Sequence, residues 1–92
     1  LHAARAIATE IAQNTAPVSV ALTRQMMWRM LGADHPMKAH RADSRAILDR
    51  GRSADTREGV TSFLEKRAAV YNDRVSDSFP DVFPDWDDPQ FA

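Results

Sequence analysis

Apolar residues return at three- and four-residue intervals along most of this chain, and no stretch sustains the alternation of a strand. Leu1, Ala4, Ile7, Ala8, Ile11 and Ala12 form one such stripe, which predicts an amphipathic helix over residues 1–14. Pro17 lacks the amide hydrogen a helix interior needs, and its ring biases Ala16 toward extended geometry. The first helix should therefore stop near Thr15, with Pro17 opening a second. Between Pro17 and Leu31, Val18, Ala21, Leu22, Met26, Met27 and Met30, joined by Val20 and Trp28, leave little polar face. A helix apolar nearly all round is one covered on several sides. Gly32 supplies its stop.

Asp34 is placed to cap a third helix, with Pro36 in its first turn and an end near Arg50-Gly51. Met37, His40, Ser44, Ile47 and Leu48 mark its expected inner face. His40 on that face reads as a hydrogen-bonded core histidine rather than a catalyst. Arg41, Arg45 and Arg52 read as a solvated flank. A fourth helix opens where Asp55 and Glu58, three apart, fit a reciprocal capping pair, with Ser53 a second candidate cap. Val60, Phe63, Leu64 and Arg67 keep helical spacing, so this helix is expected to persist through Ala69 toward Tyr71.

The character changes after Asp77. Phe79-Pro80, Phe83-Pro84 and Asp88-Pro89 forbid helix and favour an extended course. Phe79, Val82, Phe83, Trp86 and Phe91 are too many large apolar groups for a solvating tail, and some should dock on a helical surface. The expected fold is all-α, with about four helices over residues 1–76 and an extended Pro-rich, aromatic, acidic tail over 77–92.

Ninety-two residues with 43% hydrophobic content make one small domain. A chain of that size buries only about 60–65% of its unfolded surface, so its stability is marginal without help. Cysteine is absent, which removes disulfides and thiolate metal sites as sources of that help. Association with more chain or with other copies is the remaining route. Helical periodicity is already in force at Leu1, as expected of a fragment of a longer polypeptide, or of a processed or engineered start. No stretch approaches the roughly 20 apolar residues of a membrane span, and a cytoplasmic setting is the expectation.

Charge is unevenly spread. Residues 1–76 carry every Lys and Arg and a net +4, whereas 77–92 hold five aspartates and no base. The tail is expected either to lie on a basic surface, its own or a neighbour's, or to stand as a solvated terminus. Bases spread over several helices and a net charge of -1 disfavour a nucleic-acid binder. Searches for chemistry return little. There is no Gly-rich phosphate loop, metal-spaced His/Cys cluster or nucleophile elbow. Neither a catalytic residue nor a metal ligand is assigned.

One segment stands apart. Ser53-Ala54-Asp55-Thr56-Arg57-Glu58-Gly59, followed by Ser62-Phe63-Leu64-Glu65-Lys66-Arg67, resembles the C-terminal stretch of the enoyl-CoA hydratase/isomerase (crotonase) family, S-x-D-x-x-E-G followed by A-F-x-E-K-R. Ser62 stands where the family has a small Ala. Upstream, Ile11-Ala12, Ala16-Pro17-Val18 and Thr23-Arg24 are similar to that family's I-A-x-x-x-P-x-A-V-x-x-T-K stretch, with Arg24 in place of the commoner Lys. The resemblance covers about residues 1–71.

The resemblance implies a C-terminal helical part that packs into trimers or hexamers beneath an N-terminal spiral domain. Catalytic acids and the oxyanion hole for the acyl-CoA thioester belong to that spiral, so this segment should be inactive alone. It also implies fatty-acid metabolism, a lyase or isomerase activity for the full-length enzyme, and no cofactor beyond coenzyme A within the substrate. By position, Phe63 and Lys66 take the roles of the family's CoA contacts. A ring can cover adenine and an ammonium can meet a phosphate. Without the resemblance, Phe63 reads as core and Lys66 as solvated flank. Trp28 and Met27 are candidates for an acyl-pocket lining, against the plainer reading of a methionine-rich core. The competing reading of the whole chain is a stand-alone helical protein–protein interaction module.

Overall fold

Four helices of the computed structural model open where apolar spacing and proline placement put them: α1 (His2–Asn14), α2 (Pro17–Met30), α3 (Pro36–Gly51) and α4 (Ala54–Glu65). A single further turn, α5 (Val75–Ser78), straddles the expected start of the extended tail. The structure describes residues 1–83 and 86, and none of these forms a strand. The fold is all-α. The extended course expected at Pro84, Asp85 and 87–92, and the docking of Phe91, lie outside the described residues.

The core is small and sits where α2 packs on α3 and α5. Val18 and Leu22 of α2 meet Ala46 of α3 and Val82 of the tail, with Met26, Phe79 and Phe83 against them. Full burial of a Val or Leu side chain stabilises by about 1.5–3 kcal/mol, so Val82 makes the tail part of the fold. The expectation that some tail aromatics dock is met by Phe79 and Phe83.

The inner face of α3 is not the one its larger residues predicted. Ala42 and Ala46 are buried, while Met37, His40, Ser44, Ile47 and Leu48 are all exposed. Small side chains let α2 and the tail come close to the α3 backbone, and the larger residues point where no described residue covers them. His40 is therefore not a core histidine. Nor does Asp34 cap this helix. His35 does, its Nδ1 accepting the Met37 N–H at 3.0 Å. Asp34 instead pairs with Lys38 at 3.0 Å, which holds its carboxyl below the usual carboxylate range.

The cover expected around α2 comes from one side only. Val18 and Leu22 are buried, yet Met27, Trp28 and Leu31 are 69%, 63% and 79% exposed. α1 has no buried residue at all. Its stripe of Leu1, Ile7 and Ile11 faces outward. Among the described residues no helix is long and apolar enough to cross a membrane.

Candidate functional site

Among the described residues, the segment 53–73 contains the densest polar network. At its start the Ser53 hydroxyl accepts the Thr56 N–H at 3.2 Å, so Ser53 is the cap of α4. The Arg50 carbonyl at the end of α3 accepts from the hydroxyls of both Ser53 and Thr56, which stitches the two helices together. Asp55, the first candidate cap, lies inside the helix and is buried. Its Oδ1 accepts the backbone N–H groups of Asn72 at 3.0 Å and Asp73 at 3.2 Å. Asp73 in turn takes Arg50 Nη1 at 3.0 Å, a contact in which both side chains are largely shielded.

Glu58 holds the other end of the returning chain. The Arg67 guanidinium meets both of its carboxylate oxygens, at 2.5 and 3.2 Å, and Val70 N–H adds a bond of 3.1 Å. Arg67 Nε also reaches Glu65 at 2.6 Å. The guanidinium and the Val70 amide favour the charged carboxylate, so the Glu58 pKa falls to about 2, and the Arg67 pKa is raised by the same pairing. Gly59 completes the seam. A Cβ added there would lie 3.4 Å from the Tyr71 hydroxyl, so the bare backbone gives the returning chain room against α4.

This clamp ends α4 earlier than its apolar spacing predicted. The helix stops at Glu65 rather than running toward Tyr71, because Lys66 turns left-handed, with φ 56° and ψ 43°. Lys66 N–H bonds the Phe63 carbonyl at 3.2 Å, and Arg67 N–H bonds the Ser62 carbonyl at 3.0 Å. That pair of bonds is the Schellman helix stop, a position where glycine is commonest. A side chain in this region costs about 1–2 kcal/mol. Lys66 is the only described non-glycine residue with positive φ, and its neighbours hold it there. Phe63 and Lys66 thus do not share a helix face. Phe63 projects from the last turn, 81% exposed, and Lys66 is the residue at which the helix ends. Ser62 is buried beside them, its hydroxyl satisfied by the Gly59 carbonyl at 3.1 Å, so the position admits only a small side chain.

The second set of candidates lies on α2. Met27 and Trp28 line an open apolar groove of about 590 Å³ with Val20 and Leu31, and Arg24 is the one charged residue among the described lining. The groove and the Phe63–Lys66 end of α4 are separate features of the described chain. No group of three or more His, Cys, Asp or Glu among the described residues could hold a metal ion.

No family model matches the chain. Comparison with curated proteins does find relatives, among them three from Alternaria alternata. The enoyl-CoA hydratases ACTT3 and AFT3-1 are each 41% identical to it over 69 residues, and the enoyl-CoA hydratase AKT3-2 is 39% identical over the same length. Each match covers 75% of this chain and 23% of the relative. The chain belongs to the enoyl-CoA hydratase/isomerase (crotonase) family, as a C-terminal segment. It spans about a quarter of the length of the curated relatives it matches.

Within this crotonase segment, spacing alone missed the residues that organise the site. Ser53 already caps α4, which leaves Asp55 free to serve other donors; that redundancy was the readable signal. Arg50, Asp73 and Tyr71 gave none, because their partners lie 12 to 23 positions away in sequence.

Proposed function

We propose that the protein containing this segment acts on acyl-CoA thioesters as an enoyl-CoA hydratase or isomerase. In this reading the segment supplies oligomer interface and coenzyme A contacts, and the reacting groups come from elsewhere in a longer protein. The names and identities of the three Alternaria alternata relatives support the substrate class. The exposed large apolar side chains of α1 and α2 support an interface role, since several such groups left uncovered on one helix are what a contact site presents.

Phe63 and Lys66 carry the CoA-binding reading, and one observation supports it most. An aromatic ring that could have been core is instead presented to solvent, next to a lysine held in an unfavourable backbone conformation. Outliers of that kind collect where a ligand must be met. The ring offers a face for adenine, and the ammonium offers a point charge for a phosphate. Trp28 and Met27, in their apolar groove, are proposed to face the acyl portion.

Lys66→Gly in the full-length protein separates charge from conformation. Glycine accepts the left-handed turn without strain, so stability should hold or rise slightly. Loss of the charged hydrogen bond should raise the KM for an acyl-CoA by about tenfold with little change in kcat. An unchanged KM for both Lys66→Gly and Phe63→Ala would refute the CoA-contact role.

A further inference from the structure

The left-handed backbone of Lys66 is held by the residue that follows it. Arg67 N–H bonds the Ser62 carbonyl at 3.0 Å, and the Arg67 guanidinium reaches back over the same turn to α4. There it meets both carboxylate oxygens of Glu58, takes Glu65 through Nε at 2.6 Å, and bonds the Ala68 carbonyl at 3.2 Å. Glu58 also accepts the Val70 N–H at 3.1 Å, so one carboxylate grips the chain on both sides of Ala68. Exposed ion pairs are weak, but a two-pronged arginine–carboxylate contact inside a network is the exception. The Glu58 side chain is also well shielded, at 23% exposed. The same contacts have an electrostatic consequence. With Arg67 engaging both Glu58 and Glu65, these carboxylates compete less well with a phosphate for the Lys66 ammonium.

We propose, resting on the CoA-contact reading of Phe63 and Lys66, that the Glu58–Arg67 pair positions the Lys66 ammonium for a phosphate of the bound thioester. Glu58 and Arg67 act through the backbone of the helix stop and are positioning residues; Lys66 makes the contact. Without the pair, residue 66 would relax toward the right-handed region that L-residues favour, and its side chain would leave the last turn of α4 in another direction. The ligand would then have to order that side chain as it binds, which weakens binding and leaves the chemical step alone.

A double-mutant cycle in the full-length protein, assayed with a CoA thioester, tests this. Glu58→Ala breaks the clamp, and Lys66→Gly removes the ammonium while keeping the turn. Glu58→Ala alone should raise KM by about three- to tenfold with kcat steady. In the Lys66→Gly background the same change should add less than about twofold, because the clamp has no ammonium left to place. Glu58→Gln keeps an acceptor for Arg67 and Val70 and should recover most of the loss. Should Glu58→Ala fail to fold, Arg67→Lys keeps the charge, loses the two-pronged contact and should raise KM at least about twofold. Equal KM changes from Glu58→Ala in the two backgrounds would overturn the positioning role and leave the CoA reading standing. So would an unchanged KM for Glu58→Ala, or for Arg67→Lys in its place, beside a raised one for Lys66→Gly. An unchanged KM for Lys66→Gly would remove the CoA contact of Lys66 itself, and its positioning with it.

Discussion

The α4 return and the outer faces of α1 and α2 are built on opposite terms. Between Ser53 and Asp73 each backbone reversal has a side chain to hold it: Ser53 at the start, Asp55 under Asn72 and Asp73, Glu58 under Arg67 and Val70. That region finds nearly all of its partners within the chain, Asp55 Oδ2 being the one buried polar side-chain atom there without a partner among the described residues. Along α1 and α2 the reverse holds, because Leu1, Ile7, Ile11, Met27, Trp28 and Leu31 are exposed and no residue of α1 is buried. One region brings its own partners, and the other leaves its apolar side chains uncovered by the described residues.

Truncating α2 on its two sides should sharpen that contrast most. Leu22→Ala removes a buried side chain and should cost roughly 2–5 kcal/mol in any setting, read from denaturant midpoints. Leu31→Ala should stay within about 0.5 kcal/mol in this chain, where the side chain is 79% exposed, yet approach the buried cost in a longer protein that covers it.

In the clamp, Asp55→Ala leaves the Asn72 and Asp73 amides without their acceptor and should cost about 3 kcal/mol. Asp55→Asn keeps Oδ1 and should recover most of that loss; thermal melts of the two variants give the comparison. Ser53→Ala removes only the cap and should cost about 1 kcal/mol by the same measurement. The mildest perturbation is pH. Glu58 has its folded pKa depressed from 4.5 to about 2, so its contribution is complete above 4.5 and fades as pH falls from there toward 2. A Glu58→Gln variant should therefore melt with a shallower dependence on pH across that window.

Much of the fold was legible because punctuation is local. Pro17 and Pro36 each sit at the first position of the helix they were expected to open. What stayed hidden depends on distant partners. The inner face of α3 was misassigned because large residues outweighed Ala42 and Ala46, and only the closeness of α2 and the tail makes the small ones buried. The end of α4 was placed too late because Lys66 carries no mark of a left-handed turn; Arg67, reaching back to Glu58 and bonding Ser62, makes the stop. The motif around Glu58 was legible as a family pattern before its mechanics were. Its acids read as capping groups, whereas they hold the strand of chain that returns along α4.

Hydrogen exchange in this chain and in a full-length crotonase-family protein containing it tests the division most directly. The amides of Val70, Asn72 and Asp73 should be protected in both, because their acceptors travel with them. Those of α1 should exchange rapidly in the chain and at least a hundredfold more slowly in the longer protein, where about 3 kcal/mol of added cover suffices for such a change. Equal and strong protection of α1 in both would mean that this helix needs no partner, and would contradict the account.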